Sequence, residues 1–339
     1  MRSRAFILPF VAAATLLTTL AVDCAMGQLL PSFGRDRAGT SGYQFLKIPV
    51  DARSAAMSQT VASNAFDVSS LFWNPALAAQ VTHKTAFGAG YTGYFADVSL
   101  SYLGLLHQVG SFKVGLSVQS MISGDMDVTT EFQPFGTGET FQAVDLAAGL
   151  TLAQQLTDLF SYGVTARYVQ ESLAEIHART VVFDTGIFYR VGATGAQMAV
   201  VIQNFGFDSS VSGEIERVTL DDVSLLENEF ESYTPPTTFL LGLTYNVFHR
   251  NGDQDLTVSA QLNNPNDNAE SLNIGVEYVW QQILALRSGY RFGVEEATTP
   301  SFGIGLMIPG NGPSARFDYA FTSLGRLGAV HRVGIELNF

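Results

Sequence analysis

From residue 83 to the end of the chain, apolar and small-polar positions alternate in segments of about ten residues separated by turn residues. Strict alternation places successive side chains on opposite faces of an extended strand. Phe112-Lys113-Val114-Gly115-Leu116-Ser117-Val118-Gln119 shows it cleanly, with four apolar residues on one face and Lys, Gly, Ser and Gln on the other. Leu272 to Tyr278, Leu284 to Phe292 and Ala315 to Phe321 repeat the pattern. Fourteen such segments can be marked, at 83–94, 96–107, 111–122, 139–153, 160–172, 178–190, 196–206, 237–248, 254–263, 270–280, 282–293, 299–308, 314–323 and 330–339. Membrane-spanning β-strands need roughly 9–11 tilted residues, apolar outward and polar inward. The pattern therefore predicts an all-β membrane protein, an antiparallel transmembrane β-barrel of about 14 strands.

Connection lengths agree with that reading. With the N-terminus in the periplasm, odd-to-even connections face outward and should be the longer set. Residues 123–138 and 207–236 are long, whereas 107–110, 191–195, 280–282 and 310–313 are short. The connection near 94–96 is the exception.

The first 82 residues follow other rules. Arg2 and Arg4 precede an apolar run, Ala5 to Ala21, and Ala25-Met26-Gly27 offers small residues for cleavage before Gln28. Residues 1–27 read as a secretory signal peptide, 28–82 as an N-terminal extension and lumenal plug, and 83–339 as the barrel. In 42–82, Asp51 to Met57 is partly helical in pattern, and Asn74 before Pro75 fits a helix start. A barrel of this size is wider than its own side chains can fill. A partly helical segment folded into the lumen is the expected filling, with Leu71, Phe72 and Trp73 as its apolar knot.

Composition sharpens the picture. Charged residues are only 14% of the chain, against about 25% in an ordinary soluble domain. Lipid is the expected cover. The one cysteine, Cys24, lies in the signal peptide, so disulfides and thiolate metal sites are excluded from the mature chain. A net charge of −13 argues against nucleic acid as a partner. The acids Glu214, Glu216, Asp221, Asp222, Glu227, Glu229 and Glu231 crowd the longest connection without the spacing of an EF-hand, which favours a solvated loop over a calcium site.

The sequence points to no catalytic set, no metal site and no cofactor. The five histidines (His83, His107, His177, His249, His331) fall mostly near predicted strand ends, and no nucleophile elbow or phosphate loop is present. Inward faces carry charge of both signs, including a ladder of Arg287, Arg291, Arg316, Asp318, Arg332 and Glu336. Interleaved signs suit self-neutralisation that ties the plug to the wall. The last strand ends on Phe339, with Leu337, Ile335 and Val333 on its face.

The stretch Phe45-Leu46-Lys47-Ile48-Pro49-Val50-Asp51-Ala52-Arg53-Ser54-Ala55-Ala56-Met57 resembles the opening of PorV/PorQ-type outer-membrane proteins. Asp67 and Ser69, followed by Trp73-Asn74-Pro75-Ala76, resemble both that family and the FadL-type fatty-acid transporters. Two departures stand out: Leu77 follows the Asn-Pro-Ala element, and Ser58-Gln59 follow Met57, where these relatives usually carry glycine. The resemblance implies a fourteen-stranded barrel of the bacterial outer membrane with Arg53, Asp67, Ser69, Trp73, Asn74 and Pro75 in its plug motif. It implies a non-enzymatic accessory of type IX protein secretion. Its expected partners are outer-membrane lipid, type IX translocon and attachment components, and secreted cargo C-terminal domains, met through external loops. The terminal Phe339 resembles the signal read by the barrel assembly machinery. The alternative implied by the same motif is a FadL-like transporter for long-chain fatty acids or other hydrophobic compounds.

Overall fold

A computed structural model describes residues 38–130, 133–218, 224–248, 254–294, 299–310 and 312–339. The signal peptide, residues 28–37, Asp221, Asp222 and His249 lie outside the described residues. Fourteen antiparallel strands form the wall. The first seven are β1 (Thr85–Gly93), β2 (Ser99–Val109), β3 (Phe112–Ile122), β4 (Ala143–Thr157), β5 (Phe160–Leu173), β6 (Ile176–Arg190) and β7 (Ala196–Gly206). The rest are β8 (Thr238–Asn246), β9 (Gln254–Pro265), β10 (Ser271–Trp280), β11 (Leu284–Phe292), β12 (Ser301–Ile308), β13 (Ser314–Ser323) and β14 (Ala329–Asn338). Each strand pairs with its neighbours in sequence, and β1 pairs with β14, so the sheet closes on itself and leaves no edge.

Alternation in sequence becomes inside and outside in the wall. Along β4 and β6 every second residue is buried, and the residues between are exposed. The exposed set is apolar: Leu103, Leu116, Leu150 and Leu243 are each about half exposed. A belt of this kind is stable against lipid. Among the described residues no helix is long and apolar enough to cross a membrane.

The two ends of the barrel differ. One end carries residues 123–142 and 207–237 and is the loop end; the other holds the short turns, the start of β1 and Phe339. Phe339 closes the ring there, donating its N–H to Thr85 O at 2.8 Å and accepting from Thr85 N at 3.2 Å. The pattern predicts the fourth strand at 139–153, but β4 runs four residues later, because Thr140–Phe141 pair instead with Met126–Asp127 in a separate ladder. The connection between β5 and β6 is two residues long because these strands, of 14 and 15 residues, themselves project at the loop end. Ser210–Ser212 adds a short strand to that projection by pairing with β6.

Residues 43–81 run from the loop end to the turn end and contact inward faces around the wall. The segment holds a 3-10 turn (Gln44–Lys47) and three short helices, α1 (Ala52–Ala56), α2 (Ser70–Trp73) and α3 (Pro75–Ala78). Asp51 caps α1 by accepting the Ser54 N–H at 2.7 Å. Asn74 caps α3 by accepting the Ala76 N–H at 3.0 Å, and Pro75, which has no N–H to satisfy, opens the helix. Ala52, Ala55 and Ala56 let α1 lie flat on Ala320 of β13.

Close approach is bought with inward glycines. A Cβ on Gly186 would stand 2.1 Å from Asn74 Oδ1, and one on Gly163 would stand 2.4 Å from the Pro75 carbonyl carbon. The Asn74-Pro75 corner therefore rests directly on β5 and β6. Gly186→Val should displace Asn74 and cost roughly 1–3 kcal/mol. A lowered midpoint for heat-induced mobility change on gels would register this. Gly93→Ala, where a Cβ meets nothing within 4 Å, should leave the midpoint unchanged.

Candidate functional site

The inner segment is fixed to the wall by a closed circuit of charge. Glu277 on β10 lies directly opposite Arg287 on β11, and Arg316 on β13 lies opposite Glu336 on β14. Arg53 of α1 grips Glu277 with two parallel bonds, Nε to Oε2 at 2.9 Å and Nη2 to Oε1 at 2.8 Å. Arg287 Nε also reaches Glu277 Oε2, at 2.5 Å, and its Nη1 reaches Asp318 Oδ1 at 2.5 Å. Arg316 meets Asp318 through Nε at 2.7 Å, Glu336 through Nη2 at 2.8 Å and Asp67 through Nη2 at 2.7 Å. Asp67 returns to Arg53 Nη1 at 3.9 Å and closes the circuit. Gly305 on β12 makes it possible: a Cβ there would fall 2.5 Å from Asp318 Oδ1 and 2.7 Å from Arg287 Nη1, which cross over it.

Electrostatics separate the two carboxyls of the inner segment. Burial pushes Asp67 up, but Arg316, then Arg53, and the hydrogen bond from Ser69 outweigh it and hold its carboxyl down at about 2. Asp51 goes the other way. Burial raises it first and the Asp67 charge second, against bonds from Ser54 and from Trp73 Nε1, the latter at 3.0 Å.

A second anchor holds α2. Its last carbonyls have no partner within so short a helix. Arg167 Nη2 donates to Leu71 O at 3.0 Å and Phe72 O at 3.2 Å, and Gln203 Nε2 donates to Phe72 O at 2.8 Å and Trp73 O at 3.0 Å. Arg167 is itself paired with Asp184 at 2.6 Å. Asp184 lies where β6 and β7 slip register, and its Oδ1 accepts the N–H of Asn204, a left-handed residue, at 2.7 Å.

At the loop end the segment is tied to the connections. Gly42 N–H donates to Thr234 O at 3.1 Å, and the Tyr43 and Tyr233 rings sit 5.2 Å apart. Tyr233 donates its hydroxyl to Glu171 at 2.9 Å. Burial, then the Glu171 charge, raises both tyrosines above their usual range. Lys47 Nζ is bound by both oxygens of Asp267, at 3.0 and 2.9 Å. Beneath these ties lies a cavity of about 790 Å³ with Phe72, Trp73, Leu46 and Leu240 among its lining and Gln59, Gln203, Asn263 and Asn268 facing it.

The structure sorts the residues singled out in the sequence. Arg287, Arg316, Asp318 and Glu336 meet in the circuit, together with Arg53 and Asp67. Two ladder members stand apart from it. Arg291 lines the cavity, and Arg332 lies over the Tyr94 ring, donating to Tyr94 Oη at 2.9 Å and to Thr322 Oγ1 at 3.3 Å. Ser69 donates its hydroxyl to Asp67, and Asn74 Nδ2 donates to Ala62 O at 2.7 Å. Sequence reasoning missed Glu277 as the hub. A hairpin folded about Gln282 puts Glu277 opposite Arg287, so register arithmetic could have found it. It could not have found Gln203 or Asp267, which meet the segment only in three dimensions. Among the described residues no group of three or more His, Cys, Asp or Glu could hold a metal ion.

Comparisons with known proteins extend this. The family model described as type IX secretion system protein PorV matches residues 33–193, the inner segment and the wall through β6. Among solved structures, the Ralstonia pickettii toluene transporter TbuX superposes with a TM-score of 0.61 at 13% identity, over 85% of this chain and 96% of that one. The Pseudomonas putida toluene transporter TodX gives 0.57 at 14% identity, over 85% and 96%. A Pseudomonas aeruginosa FadL homologue gives 0.54 at 12%, over 86% and 98%. At these identities the likeness is one of fold. No curated protein matches the chain.

Two outcomes test the circuit. Glu277→Gln leaves two buried guanidiniums short of a partner and should cost about 3–5 kcal/mol. Asp67→Asn leaves Arg316 and Arg53 their other acids and should cost less, about 1.5–3 kcal/mol. Urea unfolding followed by Trp73 emission, with the exposed Trp280 changed to Phe, ranks them. The pH dependence has a fixed sign. The Asp67 carboxyl sits below its ordinary value of 3.8, so its stabilisation is complete above about pH 4 and lost as pH falls toward about 2. Asp67→Asn should remove that share of the acid sensitivity of the Trp73 signal.

Proposed function

We propose, from the PorV pattern over residues 33–193 and the FadL-like fold of the whole barrel, that the chain is a non-enzymatic accessory of type IX protein secretion in the bacterial outer membrane. The family match carries this reading, because it covers the inner segment as well as six strands of wall. In this reading residues 43–81 are a plug. Three features support it: the charge circuit, the Arg167–Gln203 anchor and the Lys47–Asp267 tie fix the segment at three places. The lipid-facing belt is the anchor in the membrane, and Phe339 is the feature offered to the barrel assembly machinery. Cargo, through its C-terminal domain, and the translocon and attachment components meet the loop end. There the connection 207–237 is bound to the plug through Thr234 and Tyr233.

A second reading has its own observation. The cavity of about 790 Å³ over Phe72 and Trp73 has the size of a small-molecule site, and the solved neighbours include toluene transporters. In that reading the barrel takes up a hydrophobic compound as FadL-type proteins do.

Affinity capture of the tagged chain from its own cells separates the two. The secretion reading expects cargo C-terminal domains and translocon subunits to be retained, and secreted cargo to accumulate inside a deletion strain. Capture of neither, with normal secretion and a loss of toluene or fatty-acid uptake in the deletion strain, would establish the second reading instead.

A further inference from the structure

Ser58 and Gln59 occupy consecutive left-handed positions, with φ of 52° and 68°. Side chains make that backbone unfavourable, and glycine would adopt it freely. The turn is nevertheless held firmly. Ser58 N–H donates to Ala55 O at 3.1 Å, Gln59 N–H donates to Ser54 O at 2.7 Å, and Asn273 Nδ2 on β10 donates to Ser58 O at 2.8 Å. Strain kept in place by its surroundings marks a position where the side chain has a use. For Ser58 a partner is visible, the Ser301 hydroxyl at 3.5 Å. The Gln59 carboxamide has no hydrogen bond to a described residue, and it faces the loop-end cavity.

The chemistry of that cavity selects among ligands. Gln59 and Asn268 bring carboxamides to its lining with bonding capacity left. Gln59 can donate and accept, and Asn268, whose Oδ1 accepts the Ala269 N–H at 2.8 Å, keeps its Nδ2 to donate, whereas Asn263 is held at both ends by Gln261 and Ser271. Covering them with hydrocarbon would strip their water and return nothing. An acidic lipid would also need a cation for its head group. Of the cavity's two cations, Lys47 is already bound by both oxygens of Asp267 and flanked by Gln44, which donates to the same carboxylate at 2.7 Å, and Arg291 is likewise engaged by a partner of its own. A polypeptide backbone offers what carboxamides bind, an alternation of N–H and C=O. The edge-to-face pair Phe72 and Trp73, 4.9 Å between centroids, supplies an apolar floor for a side chain. The volume of about 790 Å³ lies within the ~300–1,000 Å³ range of ligand pockets.

We propose that the loop-end cavity binds an extended polypeptide segment, its backbone N–H and C=O met by Gln59, a further C=O by Asn268 Nδ2, and one apolar side chain set on Phe72 and Trp73. The site deepens the secretion reading and rests on it, since it places capture of cargo inside the mouth of the barrel. Gln59 is then a specificity residue whose backbone strain is tolerated for the sake of its side chain.

The test uses the full-length chain in detergent with Trp280→Phe, which leaves Trp73 as the only tryptophan. Its probes are a cargo C-terminal domain from the same organism, capped ten-residue peptides tiling that domain, and dodecanoate. The domain and at least one peptide should shift Trp73 emission. Gln59→Gly should weaken both at least tenfold while raising the melting temperature, because it removes strain and ligand contact together. Ala269→Phe, at the cavity rim, should abolish the shift without adding a second tryptophan. Equal binding of the domain to the parent and both variants would overturn the cavity site and leave the secretion reading standing. No binding of the domain to the parent would remove both. A shift produced by dodecanoate and by no peptide, unaffected by Gln59→Gly, would make the cavity a lipid site and overturn the proposal.

Discussion

The inner segment has no helix longer than five residues, and on that fact the rest of the structure depends. Helices so short cannot form alone in water, because nucleation outweighs the few bonds they close. Each also leaves most of its terminal N–H and C=O groups without partners. The wall supplies what the helices lack. Arg167 and Gln203 take the last carbonyls of α2, Ser161 donates to Ala76 O at 2.9 Å, and Gln261 accepts the Ala62 N–H at 3.0 Å. Polar side chains of the barrel interior therefore complete the backbone of the segment they surround.

Charge then decides how the segment sits. Three guanidiniums, Arg53, Arg287 and Arg316, face four carboxylates, Asp67, Glu277, Asp318 and Glu336. Buried ion pairs add little net stability, since desolvation offsets most of the attraction. Their cost when mispaired is large, and that is how they select one arrangement. Arg53 and Asp67 are fourteen positions apart on the segment, and Glu277 and Arg316 come from two separate hairpins of the wall. A shift of the segment by one residue would break both attachments at once.

Loop end and turn end have different tasks. At the turn end the segment merges into β1, beside the closing pair of Thr85 and Phe339. At the loop end it is bound to the connections 207–237 and 266–270 through Tyr233, Thr234 and Asp267. A partner that moves those connections thereby acts on the floor of the cavity beneath them. The strained turn at Ser58 and Gln59 lies in the same place.

Much of this was written in the sequence. Period-two alternation determined the strands and their faces, because the covalent geometry of an extended chain leaves no other choice. Fourteen strands of barrel length, with apolar faces outside, followed from spacing and low charge, and the Asn74-Pro75 helix start followed from cap chemistry. The sequence also named Arg53 and Asp67 in the inner segment and the six ladder residues as inward charges of the wall. It could not pair them. Register around a closed barrel depends on every hairpin together, and the height at which Arg53 meets Glu277 depends on where inward glycines let the segment lean. Arg291 and Arg332 share the inward face of their ladder neighbours, yet they stand at other heights and join other groups. Local periodicity determined which way each side chain points; only closure of the wall around the segment decided what it meets.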